Sequence, residues 1–135
     1  MTDHHDTPSP TAVPLLPAGA PLSWRGGQLH IEDVLLANLA REHGTPLFVY
    51  SQAAILDAVR AWQDALKGRD ALVCYAIKAN SSLALLRLMA QAGCGFDIVS
   101  GGELERALAA GAQPERIVFS GSSARTPRCP TIHMR

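Results

Sequence analysis

Three places in this sequence carry side chains that could do chemistry. Lys78 lies in Tyr75-Ala76-Ile77-Lys78-Ala79-Asn80, directly after the apolar run Leu72-Val73-Cys74. Lysine is rarely buried without a partner, and desolvation drives its amine toward the neutral, nucleophilic form. In that form the amine can attack a carbonyl and hold it covalently. The competing reading, which position alone favours, is a strand-end lysine pointing into solvent. Asp97 sits inside the apolar run Gly95-Phe96-Asp97-Ile98-Val99. A buried carboxylate is costly unless it is paired or hydrogen-bonded, so Asp97 is either a functional group or an edge-facing strand residue. The third place is Ser100-Gly101-Gly102-Glu103. Ser-x-x-Glu opening a helix is a capping box, which accounts for both polar ends. The paired glycines would also permit close backbone approach to a ligand, but they lack the full glycine-rich phosphate fingerprint.

These residues need a scaffold, and the surrounding pattern supplies one. Residues 1–26 are rich in Pro, Gly, Ser and Thr and read as a flexible lead-in. Gln28 to Ile31 reads as a short strand. Asp33 then stands as the N-cap of a helix over Val34 to His43, which Gly44 and Pro46 end. Leu47-Phe48-Val49-Tyr50 reads as a buried strand, and Ser51 caps a helix marked by Ile55, Val59, Trp62 and Leu66. The rhythm then becomes regular. Strands are expected over Ala71 to Ala76, Gly95 to Val99 and Arg116 to Ser120. Helices are expected over Leu83 to Ala92 and Glu103 to Ala110, closed by Gly93 and Gly111. Short strands alternating with helices of this length argue for βα units and a parallel α/β sheet, either doubly wound or part of a (β/α)₈ barrel. Lys78, Asp97 and the Ser100 turn then fall at strand C-terminal ends, the rim where such proteins place their sites.

The bulk composition narrows the function. The chain has 135 residues, 47% hydrophobic and 18% charged, with no formal net charge and seven aromatic residues. That is globular composition with room for one core, and it gives no support for nucleic-acid binding. The apolar runs are too short for a membrane span, and the first residues lack the basic and apolar regions of a secretory signal. Cys74, Cys94 and Cys129 have no C-x-x-C spacing and read as reduced thiols of a cytoplasmic protein. The first two read as core fillers. The five histidines are scattered and offer no convergent ligand set, so no metal is expected.

The residues also resemble a known family. Tyr75-Ala76-Ile77-Lys78-Ala79-Asn80-Ser81, Gly95 through Leu104, and Pro114-Glu115-Arg116-Ile117-Val118-Phe119-Ser120-Gly121 look like the N-terminal part of diaminopimelate decarboxylase. Ile31-Glu32-Asp33-Val34 and Gly44 through Tyr50 fit the same pattern, so the resemblance spans residues 27–121. It implies the N-terminal part of an alanine racemase-like (β/α)₈ (TIM) barrel that binds pyridoxal 5′-phosphate (PLP), covering about three βα units. It further implies decarboxylation of meso-2,6-diaminopimelate to L-lysine and CO2. Lys78 would hold the cofactor covalently. Ala76, Asp97 and Glu103 would lie beside it, Asp97 orienting the amine or the cofactor. The partner would be a small amino-acid substrate, with a homodimer for the full-length family. The alternatives are another basic amino-acid decarboxylase of the ornithine, arginine or carboxynorspermidine type, or a non-catalytic PLP-binding fragment.

The resemblance stops at Gly121. Residues 122–135 carry Pro127 and Pro130 where another barrel helix is expected, and proline interrupts such a helix. Ser123-Ala124-Arg125 matches what the family's Val-Gly-Lys gives when read one base out of frame. The expectation is therefore a frameshifted, non-homologous tail, which an intact frame through codons 121 to 135 would refute. A closed barrel needs roughly 250 residues, so the fragment is expected to be catalytically inactive and poorly folded alone.

Overall fold

The computed structural model describes residues 21–121 and 133–134. The expectations for residues 1–20, for 122–132 and for Arg135 lie outside the described residues. The chain divides into two compact units, residues 1–54 and 55–135.

The first unit begins with strand where a lead-in was expected. β1 (Leu22–Arg25) pairs antiparallel with β2 (Gln28–Ile31), and Ile31 pairs with Val34 of β3 (Val34–Leu35). Gly26 and Gly27 close the first hairpin with φ of 55° and 74°, the left-handed geometry that two-residue turns demand. The Pro- and Gly-rich surroundings hid this strand from the sequence reading. Asp33 is not a helix cap. It occupies the second turn and forms an exposed ion pair with Arg25 at 2.9 Å, while helix α1 (Leu36–His43) starts after Leu35 with no side-chain cap. Leu47 to Tyr50 is also corrected, since it forms no strand and Phe48 is 87% exposed. An apolar run becomes a strand only when a neighbour takes its hydrogen bonds, and none of the described strands pairs with it.

Helix α2 (Gln52–Ala65) starts as expected, with Ser51 Oγ accepting from the Ala54 N–H at 3.0 Å. In the second unit its Val59 is buried, but Trp62 is 65% exposed although it belongs to the same apolar repeat. There follow β4 (Cys74–Ala76), a 3₁₀ turn over Ile77–Ala79, α3 (Leu83–Gln91) and β5 (Gly95–Ile98). Helix α4 (Gly101–Ala109), a second 3₁₀ turn (Pro114–Arg116) and β6 (Ile117–Phe119) complete the repeating pattern. β7 (His133–Met134) adds a further parallel strand beside β6, where no strand was expected. The sheet order β4-β5-β6-β7 is parallel throughout.

Strand alternation assigns the two sheet faces. Phe96 pairs with Ile117 and Ile98 with Phe119. These four are buried in one cluster with Leu86 and Met89 of α3 and Leu104 and Ala107 of α4. Side chains in strands alternate between faces, so Ala76, Asp97 and Val118, which share one register row, lie on the face away from the helices. Directly after Ala76, Ile77 is fully buried and anchors the 3₁₀ turn that carries Lys78.

Candidate active site

The site is built where β4 and β5 run out. β4 ends at Ala76, and the buried Ile77 fixes the first residue of the turn. Lys78 follows and is exposed. The amine therefore sits just beyond the strand rather than within it, as the solvent-facing reading expected.

Two hydrogen bonds shape the loop behind it. The Tyr75 hydroxyl donates to the Asn80 carbonyl at 3.2 Å, and the Ser82 N–H donates to Asn80 Oδ1 at 2.9 Å.

Asp97 stands one strand over, in register with Ala76 on one side and Val118 on the other. It is half-buried, and the Ser120 hydroxyl donates to its Oδ1. That bond answers the question raised by a carboxylate in an apolar strand: the group is hydrogen-bonded rather than stranded. Ala76 is half-buried beside it, and its small side chain leaves space along that row.

The Ser100 turn is a helix cap, as the capping-box pattern predicted. Ser100 Oγ accepts from the Glu103 N–H at 3.2 Å, and Glu103 Oε2 accepts from the Val99 N–H at 2.6 Å. The carboxylate thus bonds one residue further out than the reciprocal partner of an ideal capping box.

Ile77, Lys78, Ser81, Ser100, Gly102, Glu103 and Arg106 line an open cleft of about 460 Å³. The fold therefore brings Lys78 and Glu103 to one cleft. Asp97 and Ala76 stand in the neighbouring sheet row and do not line the cleft, and none of the hydrogen bonds or ion pairs described joins Lys78 to Asp97. Two contributors escaped the sequence reading. Ser120 follows β6, and only the register shows that it reaches Asp97. Arg106 was legible in principle, because it follows Glu103 by three residues on a helix and such pairs share a face.

Residues 52–127 match the family described as pyridoxal-dependent decarboxylase, pyridoxal binding domain. The chain belongs to that family, and its parallel sheet is an N-terminal portion of the family's α/β barrel. Within it, the chain is similar to diaminopimelate decarboxylase of Pseudomonas fluorescens, with 54% identity over 99 residues, 73% of this chain and 24% of the relative. Among solved structures, a protein from Aquifex aeolicus has 47% identity and a TM-score of 0.72, covering 78% of this chain and 26% of the other. Diaminopimelate decarboxylase from M. jannaschii has 36% identity and a TM-score of 0.65, covering 76% and 25%. The chain spans about a quarter of the length of the curated relatives it matches.

Proposed function

We propose that this chain supplies the lysine-bearing segment of a PLP-dependent diaminopimelate decarboxylase, which converts meso-2,6-diaminopimelate to L-lysine and CO2. The observation that carries the reading is the placement of Lys78. It is an accessible amine on a turn anchored by the fully buried Ile77, at the C-terminal end of a parallel strand, opening on a cleft beside a capped helix.

The residues fit an aldehyde-bearing cofactor. Lys78 Nζ is the nucleophile, the hydroxyls of Ser81 and Ser100 supply hydrogen-bonding groups, and Arg106 adds positive charge on the same wall. When bound, PLP supplies an electron sink for the pair left behind as a carboxylate departs as CO2. This chain's residues hold and orient. Lys78 binds the cofactor. Asp97, held by Ser120, orients the amine or the cofactor from the adjacent row beside Ala76. Glu103 fixes the helix end and places a carboxylate at the cleft wall. Decarboxylation itself belongs to the enzyme of which these residues form about a quarter, acting in the cytoplasm as a homodimer on a small amino acid. Cys94, a buried thiol outside any disulfide, suits that compartment.

The chain provides its own control, because Lys67 and Lys78 are its only lysines. PLP is mixed with the 135-residue chain and reduced with borohydride. At each modified lysine the nitrogen bonds to the aldehyde carbon with loss of water, and hydride converts the product to a stable secondary amine. Peptide mass mapping is expected to find Lys78 labelled well in excess of Lys67. Equal labelling of the two lysines refutes the proposal.

A further inference from the structure

We infer that Arg106 is a positioning residue for Lys78, an inference that rests on the reading of Lys78 given above. The turn that carries the lysine continues through Asn80, Ser81 and Ser82 before α3 begins at Leu83. Three consecutive carbonyls in this loop each accept a hydrogen bond, and each bond comes from a different element. Asn80 O takes the Tyr75 hydroxyl of β4 at 3.2 Å, Ser81 O takes Arg106 Nη1 of α4 at 3.3 Å, and Ser82 O takes the Leu86 N–H of α3 at 2.9 Å.

The first and third of these bonds are local, reaching five and four residues along the chain. Arg106 reaches across 25 residues. It therefore couples the Lys78 loop to α4, whose own N-terminus is fixed to the end of β5 by Ser100, Glu103 and the Val99 N–H. The chain of support runs from β5, through the capped helix, to the carbonyl three residues beyond Lys78. Arg106 and Glu103 both line the cleft into which Lys78 opens. A guanidinium suits this task, since it is charged at every working pH and donates in a fixed plane. Without the bond, the buried Ile77, which shares a core cluster with Leu104 and Ala107 of α4, still ties the start of the turn to the helix, but no other described hydrogen bond joins the loop beyond Lys78 to α4.

The 135-residue chain and its Arg106→Leu and Arg106→Lys variants are labelled with PLP and borohydride, and the Lys78-to-Lys67 ratio is read by peptide mapping. The introduced amine in Arg106→Lys is scored in its own peptide. The bond is exposed and long, so loss of a charge-assisted donor of this kind corresponds to roughly a threefold change. Arg106→Leu is expected to lower the ratio by that factor with Lys67 labelling and far-ultraviolet circular dichroism unchanged, and Arg106→Lys to restore it. Hydrogen exchange at the Ser81 and Ser82 amides is expected to rise in Arg106→Leu alone. A ratio and an exchange pattern that survive Arg106→Leu overturn the positioning role. So does a ratio lost equally in both variants, because rescue by a second cationic donor is then absent. Equal labelling of Lys67 and Lys78 in the unsubstituted chain overturns instead the reading of Lys78 on which the inference rests.

Discussion

Gly95 opens β5, and of the described glycines it is the one with the least room for a Cβ. A Cβ built there would lie 2.5 Å from the Arg116 carbonyl oxygen, 2.7 Å from Leu72 Cδ2 and 2.8 Å from Cys74 Sγ. Leu72 and Cys74 can rotate away. The Arg116 carbonyl cannot, because the Arg116 N–H is bonded to Gln113 O at 2.9 Å and the next residue, Ile117, is fully buried and paired with Phe96. Gly95→Ala must therefore displace β5 or β6 by several tenths of an ångström. Overpacking relieved only by backbone movement costs about 2–3 kcal/mol. With a urea dependence of roughly 1–2 kcal/mol per molar for a chain of this size, the unfolding midpoint should fall by roughly 1–3 M. Gly101→Ala is the matched control, since a Cβ there meets nothing within 4 Å, and its midpoint should move by less than about 0.5 kcal/mol equivalent. The assay is urea unfolding followed by circular dichroism. A Gly95→Ala midpoint indistinguishable from that of Gly101→Ala would show that the sheet is not closed at this point as described. The displaced strand also carries Asp97 two residues on, so the same variant should blunt any preference for labelling Lys78.

Two further expectations concern titrating groups. The Ser51 hydroxyl, at 2.5 Å, and the Ala53 N–H, at 3.1 Å, hold the Glu32 carboxyl below its usual value, against the opposing push of desolvation and then of Asp33. A depressed folded value means that its contribution is present above the ordinary carboxylate range and lost as pH falls through the folded value. Exchange protection of the Ala53 and Ala54 amides should drop on acidification, and Glu32→Gln should show the weakened protection already at neutral pH; a variant with the unsubstituted profile would refute this. Burial pushes the Cys94 thiol above its usual value, only partly offset by Arg116. Iodoacetamide should therefore modify Cys94 slowly in the folded chain and rapidly in urea, and matching rates would contradict the burial.

The second unit was legible because its pattern is redundant. Gly93 and Gly111 each adopt a positive φ where a helix was expected to stop, and Phe96, Ile98, Ile117 and Phe119 of β5 and β6 all point to one cluster. The first unit was harder to read. Its β1 lacks a long apolar run, and Asp33 satisfies the rule for a helix cap and equally the rule for a turn. Leu47 to Tyr50 has strand composition, but composition cannot report whether a neighbour is available to pair. Lys78 and Glu103 could be found from type and position alone. The Ser120 and Arg106 contacts depend on register and on a helix rotation relative to a loop, quantities that become visible only once strands and helices are placed.

Val118 pairs with His133 and Phe119 with Met134, so the fourth place in the sheet is filled through main-chain geometry. A ladder of this kind recognises extended backbone and is indifferent to most side chains. β6 thus offers its outer edge to β7 through backbone hydrogen bonds, in the parallel direction of the preceding strands, while the row that runs through Ala76, Asp97 and Val118 is set by the pairing of β4, β5 and β6.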